Sequence, residues 1–371
     1  MRPQGMPASS ATLAAASKQS LRLPHASTHA GVLSLTLGAA LLTLLAAGPS
    51  PALASRCGEV SQALGLYHLG WCTDHTSTGD PRATCAALLP HLQGSVVQQC
   101  QAIVPMFEAV CGHLRSVARG TAQKPLVMSL HGPPGVGKTF SALLIPQALF
   151  YDSPEDGAKK CKGRGCRGAL FLTRGDFESY ERLESHVSAH VLRSTNPYIL
   201  IDDFDKFDCR MRTYLRALLD TSVVADSSLR RGLERAIIIF TSNAGSDLVE
   251  EYGRRVVTPG VSGSQAMCDR LVSNRLHADL KQTVTQELGG RAQCGGVLGN
   301  LMGKIDRFLG FTPFHRDGVE SFIRYKLRDK SPSHVDRLVA QLLKDRFVFD
   351  QHGFTAEAGN QIQNAIDLED D

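Results

Sequence analysis

Leu126-Val127-Met128-Ser129-Leu130-His131-Gly132-Pro133-Pro134-Gly135-Val136-Gly137-Lys138-Thr139-Phe140 is the stretch that decides how the rest of the chain is read. A short apolar run leads into a Gly-x-x-x-x-Gly-Lys-Thr loop, and helical patterning begins at Phe140. Strand, loop and helix in that order is the context a phosphate-binding loop requires. Gly132, Gly135 and Gly137 let backbone N–H groups wrap phosphates where a side chain would collide, with Pro133, Pro134 and Val136 completing the loop and Phe140 following it. The positive end of the following helix adds to the attraction for an anion. Lys138 is expected to reach the β- and γ-phosphates and the Thr139 hydroxyl to ligate Mg²⁺, so ATP and Mg²⁺ are the expected ligands.

Outward from this loop, short apolar runs at 126–130, 169–172, 198–201 and 236–240 alternate with helical patterns at 140–150, 177–192 and 210–219. Such alternation predicts an α/β fold with a parallel sheet between helices. The third run, Tyr198-Ile199-Leu200-Ile201, ends in Asp202-Asp203-Phe204-Asp205-Lys206. A strand ending in acids delivers oxygen ligands beside the loop: Asp202 is the expected Mg²⁺ partner. Asp203 is the expected catalytic base toward water, one methylene shorter than a glutamate. Asp205 and Lys206 read equally well as a solvated strand end. The fourth run ends at Thr241-Ser242-Asn243-Ala244-Gly245, where Asn243 is expected to orient water against the γ-phosphate, assisted by Thr241 or Ser242. Loop, acidic strand and polar strand in this order favour an AAA+ ATPase over a small-molecule kinase.

The chain has 371 residues, 43% of them apolar and 20% charged, which is ordinary for a globular protein. Everything before Glu59, the first acid, is rich in Ala, Ser, Leu and Thr, and an apolar run spans 31–48. Ala52-Leu53-Ala54 supplies the small-x-small pattern of a signal-peptidase site, so residues 1–54 read as a cleaved targeting segment, with a retained membrane anchor as the alternative. A two-stage plastid leader is a minority reading. Losing Arg2, Lys18 and Arg22 with the leader leaves about 37 basic against 36 acidic residues. That balance gives no electrostatic case for nucleic-acid binding. All ten cysteines, from Cys57 to Cys294, lie past the cleavage site, a count that suits an oxidising lumen. Cys100 and Cys111 also read as small buried hydrophobes on the apolar face of a helix that starts near Val96 and is kinked at Pro105. Residues 55–93 read as an irregular lumenal lead-in, 94–298 as the nucleotide-binding domain and 299–371 as a small helical domain. Within this, 246–299 carries no clear pattern, whereas Val335, Leu338, Val339, Leu342 and Leu343 recur at helical spacing.

Lys124-Pro125-Leu126-Val127-Met128-Ser129-Leu130-His131-Gly132, Ile201-Asp202-Asp203-Phe204-Asp205-Lys206-Phe207 and Ile239-Phe240-Thr241-Ser242-Asn243-Ala244-Gly245 together resemble torsins, as does Ile305-Asp306-Arg307-Phe308-Leu309-Gly310-Phe311-Thr312-Pro313-Phe314. The likeness covers residue 95 to the C-terminus. It implies an AAA+ protein related to Clp-type unfoldases, resident in the endoplasmic reticulum lumen and nuclear envelope, that hydrolyses ATP to remodel protein complexes. It also implies a homo- or hetero-oligomer whose site is completed by a membrane-anchored lumenal activator contributing an arginine. The client is not named by it. Some positions depart from the family: Pro133-Pro134 and Thr139 stand where torsins carry a Trp nearby and an Asn after the lysine. Asp203 replaces a glutamate, and Gly353-Phe354-Thr355 align with the family's C-terminal Gly-Cys-Lys. Lys304 stands where Clp-type enzymes carry an arginine finger, and an ammonium lacks the planar fork for that role. An ATP-gated binding module with little turnover, and a Clp-type chaperone of a plastid lumen, are the alternatives.

Three side signals remain. Lys159-Lys160-Cys161-Lys162-Gly163-Arg164-Gly165-Cys166-Arg167 reads as a basic loop closed by a local disulfide, with contact to an acidic partner or lipid headgroups as an alternative. His186 and His190 have helical metal-ligand spacing but no third ligand. Phe177 and Tyr180 read as packing residues, or as pore aromatics.

Overall fold

The computed structural model describes residues 81–150, 168–173, 180–256, 270–291 and 295–370. The targeting segment, most of the lead-in, the basic loop 159–167 and Phe177 lie outside the described residues. Among the described residues no helix is long and apolar enough to cross a membrane.

Five strands form one parallel sheet in the order β2-β3-β4-β1-β5: β1 Leu126–His131, β2 Ala169–Leu172, β3 Tyr198–Ile201, β4 Ile237–Ser242 and β5 Arg307–Gly310. Each apolar run has both faces covered, so its side chains divide by the period of two. Val127, Ile199, Ile201, Ile238, Phe240 and Phe308 join one core, while Leu126, Met128, Leu130, Leu200, Ile237 and Ile239 join the other. The buried Tyr198 hydroxyl donates to Ala142 O at 2.6 Å, which satisfies the one polar group this strand carries inward.

The second core is closed by α1 Pro81–Ser95, α2 Cys100–Ala118 and α3 Lys138–Leu149. α1 corrects the expectation of an irregular lead-in up to residue 93. Pro81 opens it, Thr84, Leu88 and Leu92 bury at spacings of four, and Cys85 is joined to Cys111 of α2 by a disulfide. Cys111 is therefore a bridged residue and not merely a small buried one. Cys100 and Cys209 are also disulfide-bonded, so all four described cysteines are oxidised. Pro105 lies inside α2.

The first core is closed by α4 Tyr180–Arg193, α5 Cys209–Leu219, α6 Ser227–Glu234, α7 Ser246–Val256, α8 Arg270–Arg291 and α9 Gly295–Lys304. The last three account for most of the stretch without a clear pattern. β5 follows them and pairs with β1 from Met128↔Arg307 to His131↔Gly310, so the sheet extends past the expected domain boundary at 298. Beyond it, α10 Arg316–Lys326, α11 Pro332–Asp345 and α12 Gly359–Asp370 share a third core that includes Val319, Ile323, Leu338, Leu342, Ile362 and Ile366.

Candidate nucleotide site

Parallel strands aim their carboxyl ends at one edge of the sheet, where open α/β folds bind ligands. Because β4 lies between β1 and β3, the polar end of β4 stands between the loop after β1 and the acids after β3. The contacts follow from this placement. Thr139 Oγ1 donates to Asp202 Oδ1 at 2.7 Å, and Thr241 Oγ1 donates to the same oxygen at 2.5 Å. Lys138 Nζ donates to Asn243 Oδ1 at 2.9 Å, and to the carbonyls of Gly132 at 2.6 Å and Pro133 at 2.7 Å. The loop, the acidic strand and the polar strand are thus one hydrogen-bonded cluster.

Lys138 is only 7% exposed. Burial pushes its ammonium down to about 8, against the opposing pull of Asp203, Asp205 and Asp202. Asp203 adopts a left-handed backbone with φ 53°, which a short carboxylate residue tolerates. Its N–H donates to Thr241 Oγ1 at 3.0 Å and its carboxylate is paired with Lys206. Asp205 is not merely a solvated strand end, since its Oδ1 accepts the Asn243 N–H at 3.2 Å. Behind the cluster, His131 is fully buried and stacked on Phe308 with its Nδ1 2.9 Å from Ala244 O; burial lowers it to about 4.

A cavity of about 820 Å³ opens over the loop. Pro133, Pro134, Gly135, Val136, Gly137, Lys138, Thr139 and the half-exposed Phe140 form its floor. Ser95, Val96 and Val97 form one wall; Phe314, Phe322, Tyr325 and Lys326, together with the start of α12, form the other. The lining holds two lysines and no carboxylate, which fits a polyanion. The glycines fit one too. A Cβ on Gly137, at φ 97°, would meet nothing within 4 Å, whereas one on Gly135 would lie 2.1 Å from Ala358 Cβ. The loop is therefore open toward the cavity and closed against α12, whose Gly359 N–H donates to Gly135 O at 2.9 Å. Thr139 and Asp202 bring hard oxygen atoms together, the donor set that suits Mg²⁺.

No family model matches the chain. A torsin-like protein of Drosophila melanogaster is 26% identical over 267 residues, covering 70% of this chain and 72% of its own length. Torsin-3A of Mus musculus is 22% identical over 248 residues, covering 64% of this chain and 58% of its own. The chain resembles torsins in sequence. Its fold matches Hsp104 solved in a closed state with ATPγS and FITC-casein, at a TM-score of 0.50 and 14% identity over 78% of this chain. The torsin-like chain spans 47% of that Hsp104 chain, and a little over half of the mouse relative.

Other residues singled out in the sequence are placed as follows. Thr355 is buried, its N–H donates to Phe314 O at 3.0 Å, and Gly353-Phe354-Thr355 do not line the cavity; Ala358, Gly359 and Asn360 do. The C-terminal segment thus lines the cavity from Ala356 onward, just past the residues that the resemblance aligned. Lys304 pairs with Asp220 at 2.9 Å within the same chain. The ring of His190 is largely removed from water, which lowers it to about 4, while the exposed His186 contacts its own helix at Arg182 O, 2.8 Å away. No cluster of metal-binding side chains occurs among the described residues. The aromatic wall of Phe314, Phe322 and Tyr325 escaped the sequence reading, because only Phe314 falls within a motif.

Proposed function

We propose that the chain binds ATP with Mg²⁺ over the loop at 132–139 and hydrolyses it to remodel protein complexes. The observation that carries this reading is the cluster in which Lys138 meets Asn243 while Thr139 and Thr241 share Asp202. On nucleotide binding, Lys138 exchanges its loop carbonyls for phosphate oxygens. Thr139 and Asp202 hold Mg²⁺, which when bound neutralises charge on the phosphates. Asp203 accepts the proton of the attacking water once Lys206 releases it, and Asn243 orients that water. The nucleoside end lies against Phe322 and Tyr325.

The location we propose is the lumen of the endoplasmic reticulum and nuclear envelope, supported by four described cysteines all in disulfides and by the leader-like composition of residues 1–54. Turnover is slow in the isolated chain and stimulated by a membrane-anchored activator that contributes an arginine, since Lys304 is engaged with Asp220. Titration of the purified protein with a fluorescent ATP analogue tests the central claim. Wild type binds it and Lys138→Ala does not; equal binding by both overturns the assignment.

A second reading, a nucleotide-gated binding module, is favoured by the Asp203–Lys206 ion pair, which occupies the proposed base. Rapid steady-state hydrolysis by the isolated chain excludes it.

A further inference from the structure

Gln98 has a left-handed backbone, φ 68°, in a residue that carries a Cβ. Outside glycine, asparagine and aspartate such a conformation is disfavoured and persists where the surroundings hold it. What holds Gln98 is its own amide. Nε2 donates to Pro313 O at 2.8 Å, and Oε1 accepts the His315 N–H at 2.7 Å. The side chain, 8% exposed, thus closes a two-point bond on the backbone at either side of Phe314.

Both ends of this bond belong to the cavity. Val97, immediately before Gln98, lines one wall; Phe314 lines the other, and His315 caps the start of α10, whose far end carries Phe322, Tyr325 and Lys326. The neighbouring Gln99 makes a similar pair with Thr312, through Nε2 to the carbonyl at 2.9 Å and Oε1 from the N–H at 3.1 Å. Gln99 has a negative φ of −91°, so of the two only Gln98 takes a left-handed backbone to reach its partner. The fit leaves no spare room: a Cβ on Gly318 of α10 would stand 1.7 Å from Gln98 Oε1.

We propose that Gln98 is a positioning residue for the nucleotide. By fastening the loop at 95–97 to the segment that launches α10, it sets the separation of the two cavity walls that grip the ligand. The proposal rests on the nucleotide reading given above and names a determinant of its affinity. A role confined to stability makes a different forecast, because Gln98→Gly relieves the backbone while deleting the amide.

The test measures affinity for fluorescent ADP and ATP analogues in full-length protein, with circular dichroism confirming the fold and melting recorded without nucleotide. Gln98→Gly is expected to weaken both nucleotides about tenfold, within the range of ordinary coupling between sites. Gly318→Ala leaves Gln98 in the sequence but displaces its amide, and is expected to weaken binding to a similar extent. The double variant binds no more weakly than Gln98→Gly alone, since the alanine then has nothing left to displace. Wild-type affinity in Gln98→Gly, or losses that add in the double variant, overturns the proposal. If Gln98→Gly does not fold, Gly318→Ala decides, and wild-type affinity in it overturns the proposal. Lys138→Ala run in parallel separates the two claims: loss of binding there with none in Gln98→Gly or Gly318→Ala removes only the role of Gln98. Absence of binding by the wild type removes both.

Discussion

Lys138 concentrates the residue-scale chemistry. Its ammonium is buried among three oxygen acceptors, and burial lowers it to about 8. The charged form binds polyphosphate, so in the free protein the binding-competent fraction falls as pH rises through 8. Affinity for an ATP analogue is therefore expected to be flat from pH 6.5 to 7.5 and to weaken by up to about tenfold per unit well above 8. A titration series to pH 9.5 checks this, and an unchanged affinity at pH 9.5 contradicts it. Asp203 makes a different forecast, because its carboxylate faces Lys206 and not the loop lysine. Asp203→Asn is expected to lower kcat by about 10² or more while leaving nucleotide affinity within a few-fold. Single-turnover hydrolysis alongside equilibrium binding separates those effects. The residues in these two predictions were legible in the sequence because their spacing is fixed by the phosphates they serve. Gln98 was not, since its partner lies 215 residues away and its backbone angle leaves no mark on composition.

At the scale of elements, α1 and α2 are joined through Cys85 and Cys111 across 26 residues. A loop of that length confines the unfolded chain enough that Cys85→Ala with Cys111→Ala is expected to cost about 3 kcal/mol. Urea unfolding of the oxidised wild type and the double variant reads this directly, and equal midpoints contradict it. Strands β1 to β4 were legible as short runs in which apolar residues predominate: β2 and β3 were read at their full length, and β1 and β4 to within two residues at each end. β5 was not, since Arg307-Phe308-Leu309-Gly310 is too short and too mixed to stand out, and it follows a long polar stretch. Helix α8 hides for a related reason. Between residues 274 and 288 only Leu276, Leu280, Val284 and Leu288 are buried, one residue per turn amid polar neighbours, so the apolar stripe there is narrow. α1 was obscured by Pro90 within it.

Across the described residues, one fully buried imidazole, His131, and three partly buried ones, His113, His190 and His277, lie at the seams between sheet and helices. Burial is the leading cause that lowers each of them, His131 and His190 to about 4, and it lowers His113 and His277 too. One pins its neutral form by geometry: His277 Nδ1 accepts the Phe308 N–H at 2.9 Å, a bond that protonation abolishes. His131 Nδ1–H donates to the Ala244 carbonyl at 2.9 Å, a bond open to either form, so it is burial that keeps this ring neutral. Both rings pack against Phe308, so β5 is held to the sheet and to α8 through two histidines that burial keeps uncharged. The sign follows from proton counting. Below the ordinary imidazole value of about 6.5 the unfolded chain takes up protons that the folded chain refuses, until the folded values near 4 are reached. Stability is thus full above that window and is lost as pH falls through it. The fully buried His131 alone contributes a slope of about 1.4 kcal/mol per pH unit, and the others act in the same direction. The urea midpoint is expected to fall steadily from pH 6.5 to 4.5 and to be nearly flat from 7 to 8. His131→Gln, which retains an amide donor for Ala244 O but cannot ionise, is expected to lower stability at neutral pH and make the acid slope shallower. A wild-type midpoint that does not change between pH 6.5 and 4.5 contradicts the burial of these rings as neutral groups. A variant slope equal to that of the wild type removes His131 as the leading contributor and leaves the loss to His190, His277 and His113.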